Sequence, residues 1–354
     1  MNIILIILVF GIIVFFHEFG HFIVAKINKI TVSEFSIGMG PAIFTFGKGD
    51  TKYCLRLLPL GGYCLMLGED EDSDDENAFS NKSVFVRFLV IAAGPVFNFI
   101  LAFLFSIILI NQYGCDPAYL YEVAEGGPAY EAGIEPGDKI IEIDGDRIYN
   151  YRELTLYMEL NGKQNPVTLK LEKPSGEVYE VTVTPKFMSD GTTVAYRIGV
   201  VGGYIECEGI GNNLKFAGYE LRYWVKATIT SLKMIVTGGV DSEDVMGPIG
   251  VGGVMNDVIE EVKEESETTA EAVKYIFLNM LNWCILLSVN LGIMNLLPIP
   301  ALDGGRLLLL LIEGVTRKKI PADKEAIINI IGFVLVLILM FVVLFNDVKN
   351  VFFS

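Results

Sequence analysis

The sequence predicts a polytopic α-helical membrane protein with about four transmembrane helices. Hydrophobic residues make up 52% of the 354 residues, and the mean hydropathy is +0.48. Both values are too high for an ordinary soluble chain of this length. Four apolar runs are also long enough to cross a bilayer, which takes about 20 residues of helix. They cover residues 2–25, 88–110, 273–297 and 326–345.

Basic residues near the ends of these runs predict which side of the membrane each end faces. Lys26 and Lys29 follow the first run, Arg87 precedes the second, and a basic cluster at residues 317–319 lies between the third and fourth. Cytoplasmic loops of membrane proteins carry an excess of lysine and arginine. We therefore expect a multi-pass cell-membrane protein whose two termini are extracytoplasmic, together with the long segment between the second and third runs.

Composition excludes several other classes. A net charge of −16 and the lack of a basic stripe argue against a nucleic-acid partner. We do not expect the first run to be a signal peptide, because it lacks a basic region before it and a small-residue cleavage site. None of the five cysteines forms a C-x-x-C pair, which argues against a cysteine zinc site. Cys115 and Cys207 share the predicted outer compartment, where they can form a disulfide or remain free thiols.

The first run contains His17-Glu18-Phe19-Gly20-His21, an H-E-x-x-H motif that includes the only two histidines of the chain. Residues i and i+4 of a helix lie on one face, so the two imidazoles project side by side. Glu18 lies about 100° further round the helix, where it can act as a general base. Histidine and glutamate are costly inside an apolar segment unless they are paired or liganded. The motif therefore predicts a catalytic zinc site.

A zinc site with two histidines needs a third protein ligand and an open fourth position. Asp303 is an ionisable residue between two apolar runs, in the segment N-L-L-P-I-P-A-L-D-G-G that begins at Asn295. The third run delivers this segment to the same predicted cytoplasmic side as His17. Asp303 is thus the candidate third ligand, although by itself it could also be a helix cap or pack against Arg306.

These two motifs together resemble those of the site-2 protease family of intramembrane zinc metalloproteases, most closely the bacterial RseP type. The resemblance extends over nearly the whole chain. It implies that His17, His21 and Asp303 bind Zn2+, that Glu18 is the catalytic base, and that Asn295 helps to position the substrate. It also implies that the substrates are transmembrane segments of single-span proteins, such as anti-sigma factors or signal-peptide remnants.

Residues 30–68 are apolar without helical periodicity and predict a membrane-associated β region. In the family, a G-x-G segment and the strands after it lie beside the active site, where an edge strand can pair with an unwound substrate. The alternative is a peripheral hairpin without a substrate role. The resemblance implies a substrate-binding role for five residues of this region: Gly38, Gly40, Leu55, Leu57 and Leu58.

The second run contains the segment A-G-P-V-F-N at residues 93–98, which is similar to another family motif. Glycine and proline permit close approach of helices, and Asn98 can hydrogen-bond to a neighbouring helix. Two interpretations of this segment stay open, because it can serve helix packing alone or contribute directly to catalysis.

Residues 111–190 are soluble in character and resemble one bacterial PDZ domain. The resemblance rests on the segment G-P-A-Y-E-A-G-I-E-P-G-D at residues 127–138. A helix at residues 151–160 and strands at residues 167–171 and 179–184 are predicted to follow it. Such a domain can bind newly exposed carboxyl termini, or it can act as a size filter that excludes large ectodomains.

The remaining chain falls into three predicted parts around this domain. Residues 1–110 and 272–354 form the membrane core. Residues 191–271 form an interfacial or extracytoplasmic segment, with a helix at 213–236 and a solvated acidic stretch at 260–271.

Two other functions are compatible with parts of the sequence. A membrane zinc transporter would also carry histidine and aspartate inside the bilayer, but it has no need of Glu18 or of a PDZ domain. A non-catalytic PDZ scaffold has no need of an intact H-E-x-x-H motif. The complete set of motifs therefore favours an intramembrane zinc endopeptidase in contact with the lipid bilayer.

Overall fold

A computed structural model describes residues 2–47, 49–69, 73–161, 165–189, 194–239, 246–319 and 322–353. The chain divides into two compact units. The first, here called the membrane unit, comprises Met1–Phe105 and Thr228–Ser354. The second, here called the inserted unit, comprises Ser106–Ala227.

The helices in chain order are α1 (Asn2–Ile27), α2 (Val84–Tyr113), α3 (Pro128–Glu131), α4 (Tyr151–Asn161), α5 (Ile210–Thr237), α6 (Pro248–Glu265), α7 (Thr269–Leu296), α8 (Asp303–Thr316) and α9 (Ala322–Phe353). The strands are β1 (Val32–Phe46), β2 (Lys52–Met66), β3 (Glu122–Val123), β4 (Lys139–Ile143), β5 (Asp146–Arg147), β6 (Val167–Glu172), β7 (Val178–Val183), β8 (Lys186–Ser189), β9 (Val194–Arg197) and β10 (Val200–Val201).

Four helical segments among the described residues are long and apolar enough to span a membrane. They are Asn2–Ile27, Val84–Tyr113, Thr269–Leu296 and Ile327–Lys349, and each contains or overlaps one of the four predicted apolar runs. The structure thus has four candidate membrane-spanning helices where the sequence predicts four spans.

Strands β1 and β2 form an antiparallel sheet in the predicted β region of the membrane unit. Residues 34–37 of β1 are paired twice, with residues 62–65 and with residues 52–55 of β2. The two parts of β2 therefore lie on opposite sides of β1. The part at residues 62–66 borders α1, because a Cβ atom at Gly62 would lie 3.1 Å from Cγ of Glu18.

Helix α6 was not predicted, and it fills much of the core beside α1. Met255 and Ile259 are completely buried and pack with Val9 and Ile13 of α1. The predicted acidic stretch at 260–271 is mostly exposed, but its first six residues continue this helix. The apolar residues at 251, 254, 255, 258, 259 and 262 recur at helical spacing, but three glycines among the first six residues of α6 and the acidic residues at its end obscure this signal in the sequence.

The N-terminus of α6 is held by a carboxylate from the fourth span. Asp347 is 3% exposed and accepts hydrogen bonds from the backbone N–H groups of Gly247 at 2.8 Å, and of Ile249 and Gly250 at 3.0 Å. A Cβ atom at Gly247 would lie 2.7 Å from Oδ2 of Asp347. An acidic group at this position satisfies free N–H groups and complements the helix dipole. This contact explains the glycines of the M-G-P-I-G segment at residues 246–250.

The inserted unit contains a four-stranded sheet in the order β5-β4-β6-β7. Strand β10 pairs with β3, so the unit continues beyond the predicted domain boundary at residue 190. The predicted helix and two strands are present as α4, β6 and β7. Its core consists mainly of aliphatic residues that are at most 2% exposed, including Leu120, Ile134, Ile140, Ile143, Leu169 and Leu171.

A disulfide joins Cys115 and Cys207 across the two ends of the inserted unit. Next to the disulfide, the backbone N–H groups of Cys115 and Ile205 each donate a hydrogen bond of 2.8 Å to the carbonyl oxygen of the other residue. The open question of whether these two cysteines pair is thereby answered. The other three cysteines are buried free thiols, at Cys54, Cys64 and Cys284.

Candidate metal centre and active site

Helix α1 places the two histidines on one buried face, as the motif predicts. His17 and His21 are 7% and 6% exposed, and their Nε2 atoms lie 3.3 Å apart. Oδ2 of Asp303 lies 3.2 Å from Nε2 of His17 and 3.5 Å from Nε2 of His21. The structure thus brings together the three predicted ligands, two from α1 and one from the start of α8.

A tight loop between α7 and α8 delivers Asp303 to the histidines. Asp303 is the first residue of α8, and the loop before it turns at Ala301, which has a φ of 74°. A Cβ atom at Gly304 would lie 2.1 Å from the carbonyl oxygen of Leu297, and one at Gly305 would lie 2.4 Å from that of Ile299. The two glycines after the aspartate are therefore required by the close approach of the loop to the start of the helix.

The three side chains fit a zinc ion. Their ligand atoms all lie within 4.8 Å of one another. Ligands bound at about 2.0–2.1 Å in a tetrahedral site are about 3.3 Å apart, close to the three distances given above. Among the described residues, Oδ2 of Asp303 is buried without a hydrogen-bond partner, which suits an atom that serves as a metal ligand.

The second nitrogen of each imidazole contacts α2. Nδ1 of His21 lies 2.9 Å from the carbonyl oxygen of Val90, to which it can donate a hydrogen bond. Nδ1 of His17 lies 3.2 Å from Nδ2 of Asn98, whose side chain is completely buried. Rotating this amide by 180° would place Oδ1, which has no partner, as the acceptor for His17. Such partners orient metal-bound histidines and leave Nε2 free for the ion.

Glycine 94 on α2 allows the helix to pass directly over the two imidazoles. A Cβ atom at Gly94 would lie 2.2 Å from Nε2 of His21 and 2.8 Å from Cε1 of His17. Gly20 permits a similarly close approach from the side of α1, because a Cβ atom there would lie 2.4 Å from the carbonyl oxygen of Ala93 on α2. The segment at residues 93–98 thus combines close packing with direct support of the ligands.

A cavity of about 260 Å³ opens beside the three ligands. Glu18 lines it but does not belong to the ligand cluster. Asn295 also lines it, with Nδ2 at 3.3 Å from Nε2 of His17. The cavity therefore places a carboxylate and an amide next to the candidate metal position, which is the arrangement needed to activate water and to bind a polarised carbonyl.

Several lining residues were not predicted from the sequence. They are Tyr63, Cys64 and Met66 from the part of β2 next to α1, and Glu69 and Arg306. The sequence could have indicated them by position, because Tyr63, Cys64 and Met66 lie in the predicted β region, Glu69 follows it by a few residues, and Arg306 follows Asp303 by three.

The five predicted substrate-binding residues of the β region do not line this cavity. Leu55, Leu57 and Leu58 are 48–57% exposed and lie in or next to the part of β2 on the far side of β1. Gly38 has a φ of 85°, and a Cβ atom there would lie 2.5 Å from the carbonyl oxygen of Leu58, so it serves the close pairing of the sheet. Gly40, with a φ of 83°, lies near the side chain of Leu58.

Two histidines one turn apart and an adjacent glutamate on a candidate membrane span, together with a distant aspartate at the start of α8, define a metalloprotease type of centre. The model of Peptidase family M50 matches residues 5–339. The chain belongs to this family, which is that of the site-2 proteases.

Several relatives match nearly the whole of this chain. A protein of Clostridium acetobutylicum, named provisionally as a zinc metalloprotease, is 37% identical over 98% of this chain and 97% of its own length. The zinc metalloprotease RasP of Geobacillus kaustophilus is 31% identical, with 99% and 98% covered. The regulator of sigma-W protease RasP of Bacillus subtilis is 30% identical, with 98% of both chains covered.

The contact between Asn98 and His17 leads to a first prediction. Asn98→Ala is expected to weaken zinc binding by about 10- to 100-fold, because the imidazole loses the partner that orients it. Competition with a chromogenic chelator measures this change. Asn279→Ala is the matched control, since that amide bonds to the carbonyl of Tyr275 in its own helix. Equal zinc affinity in both variants would show that Asn98 serves packing alone.

Proposed function

We propose that this peptidase uses zinc, held by His17, His21 and Asp303, to cleave transmembrane segments of single-span membrane proteins. The observation that carries the proposal is the convergence of these three side chains beside Glu18, on and next to helix α1, which is long and apolar enough to span a membrane. A protease whose centre lies among such helices acts on peptide bonds within or close to the bilayer. The relatives named as zinc metalloproteases support the choice of metal.

Zinc, when bound, supplies Lewis-acid polarisation of the scissile carbonyl. Glu18 takes a proton from the attacking water through its carboxylate and returns that proton to the leaving nitrogen. Asn295 donates from Nδ2 toward the oxygen on which negative charge develops, since it lies in the same cavity. Asn98 and the carbonyl of Val90 keep the imidazoles oriented throughout.

A transmembrane helix has to unwind before it is cut, because its carbonyls are engaged in i→i−4 hydrogen bonds. Residues 62–66 of β2 line the cavity through three side chains and pair with β1 along one edge. No third strand pairs with β2 in the part of the chain that the structure describes. We therefore assign the binding of the unwound substrate to this edge, by strand addition. This edge lies within the β region whose sequence predicts substrate binding, and the individual roles of Leu55, Leu57 and Leu58 stay predictions.

The inserted unit is proposed to be a PDZ domain on the outer side of the membrane. Its location follows from the basic residues that flank the spans, and the disulfide supports it because disulfides persist in oxidising compartments. Both termini are then extracytoplasmic, and the metal centre lies toward the cytoplasmic side.

The disulfide provides a direct check of this topology. The intact protein is expected to migrate faster on denaturing gels without reductant than with it, because the bond closes a long loop. Cys207→Ser should abolish the difference, whereas Cys54→Ser should preserve it. A membrane-impermeant phosphine added to intact spheroplasts should remove it as well. Persistence of the bond after that treatment would contradict an outer location.

For the proposed PDZ domain, a size filter is better supported than a carboxylate receptor. The hydroxyl of Tyr151 on α4 donates to the carbonyl oxygen of Val200 at 2.8 Å. The ring of Tyr151 also lies against Gly202, where a Cβ atom would be 2.2 Å from it. The side chain of Tyr151 thus occupies the space between the start of α4 and β10. A filter predicts that deleting the domain extends cleavage to substrates with intact ectodomains, whereas a receptor predicts loss of cleavage of trimmed substrates.

The proposed function is tested by the substrates that accumulate in cells. A strain whose own gene carries Glu18→Gln should accumulate single-span membrane fragments that membrane proteomics can identify. Glu177→Gln, a change in an exposed loop of the inserted unit, should leave the membrane proteome as in wild type. A zinc transporter would instead change zinc uptake into vesicles and leave such fragments at wild-type levels.

A further inference from the structure

Helix α8 carries the proposed ligand Asp303 at its first position and Arg306 one turn later. Arg306 forms an ion pair and hydrogen bond with Glu69, which follows the end of β2 by three residues. Both side chains line the active-site cavity and are largely buried, with 19% and 12% of their surfaces exposed. One contact thus joins the helix of a metal ligand to the strand that lines the cavity.

Glu69 is held firmly at the end of this strand. Its backbone N–H donates to the carbonyl oxygen of Met66 at 3.3 Å, and its Oε2 accepts from the N–H of Met66 at 3.3 Å. The turn between them is fixed at Gly68, whose φ is 70° and whose added Cβ would lie 2.8 Å from Cβ of Ala78. A shift of the Glu69 carboxylate would therefore move the end of the strand with it.

Helix α8 is held at a second point on the same face. Glu313, seven residues after Arg306, accepts a hydrogen bond of 2.5 Å from Arg87 of α2, and both side chains are at most 10% exposed. Leu307 and Leu310 are buried between the two pairs. With the far end of α8 fixed to α2, the Glu69 contact holds the end of the helix that carries Asp303, one turn from this residue.

We infer that the Glu69–Arg306 ion pair is a positioning device that sets the register between the substrate strand and the metal centre. The inference rests on the proposed function, since it concerns how the scissile carbonyl is placed relative to the metal centre. The two partners are separated by 237 residues in the chain, and the strand and the ligand lie on different elements. Neutralising one partner leaves a largely buried charge without its counterpart, which strongly favours rearrangement.

The experiment measures how the full-length protein cleaves a synthetic single-span peptide. Cleavage of the same peptide by the wild-type protein is the reference. Glu69→Gln and Arg306→Gln are each expected to lower kcat by about 10- to 100-fold, the effect of a misplacement of about 1 Å. KM should change much less. Mass spectrometry of the products should show cleavage spread over neighbouring peptide bonds instead of the wild-type bond alone. Chelator competition on the same variants should show weaker zinc binding.

Two further variants separate positioning from general stability. Exchanging the charges, in the double variant with Glu69→Arg and Arg306→Glu, should restore a large part of kcat and the single cleavage position. Glu131→Gln breaks an exposed ion pair with Lys186 in the inserted unit and should change none of these quantities. Arg306→Lys keeps the charge without the planar fork and should give a smaller spread of products.

The outcomes are distinguishable from a failure of the proposed function. A wild-type protein that does not cut the peptide contradicts the proposed function itself. If the wild type cuts, and the neutral variants cut at the same bond with unchanged kcat and zinc affinity, the positioning role is wrong. If both neutral variants fail to fold, Arg306→Lys decides, because an unchanged product pattern there overturns the inference.

Discussion

Glu18→Gln is expected to retain zinc while losing proteolysis by about 10²- to 10⁴-fold, the usual contribution of a positioned acid–base residue. Glu18 lines the cavity beside the ligands but is not one of the three grouped side chains. Glutamine keeps the size of the side chain and removes its basicity. Metal analysis and peptide cleavage of the same purified sample measure the two properties.

The exposed residue Glu177 provides the matched control, because Glu177→Gln removes the same charge far from the motif in sequence. It should retain both zinc and activity. Loss of zinc from the Glu18 variant would assign this residue a ligand or structural role and would remove the general base from the mechanism.

Asp303→Ala is expected to differ from Glu18→Gln, because zinc binding itself should be strongly weakened. The variant loses one of three protein ligands, and the loss should exceed the about 10- to 100-fold effect of an outer partner such as Asn98. Chelator competition measures the affinity. Asp257→Ala removes an exposed carboxylate on α6 and should leave the affinity unchanged. Zinc held by the Asp303 variant as tightly as by wild type would mean that the third ligand is another residue.

The strongest local patterns in the sequence predicted most of the membrane unit. A continuous apolar run has no stable soluble alternative of that length, so the four spans were predicted to within a few residues. The spacing of His17 and His21 determines their common face through helix geometry alone. Asp303 was found because an isolated acid between apolar runs is costly and needs a purpose.

The features that the sequence did not reveal depend on contacts between distant segments. The glycine-rich start of helix α6 is stabilised by Asp347, about 100 residues away, and the local sequence does not show this contact. Only one of the two parts of β2 borders α1 and the metal centre. Which part does so depends on the strand register, and the register is set by tertiary packing. The contact of Asn98 with His17 exists because α2 lies over the imidazoles, and the local sequence does not show this packing.

The most direct test of the central claim is to map the peptide bond that the purified protein cuts in a single-span substrate. Mass spectrometry of the products is expected to show one cut within the apolar transmembrane segment. This cleavage should disappear when zinc is removed with a chelator and return when zinc is added back. Cleavage confined to the soluble flanks of the substrate, or cleavage that is unaffected by removal of zinc, would contradict the account.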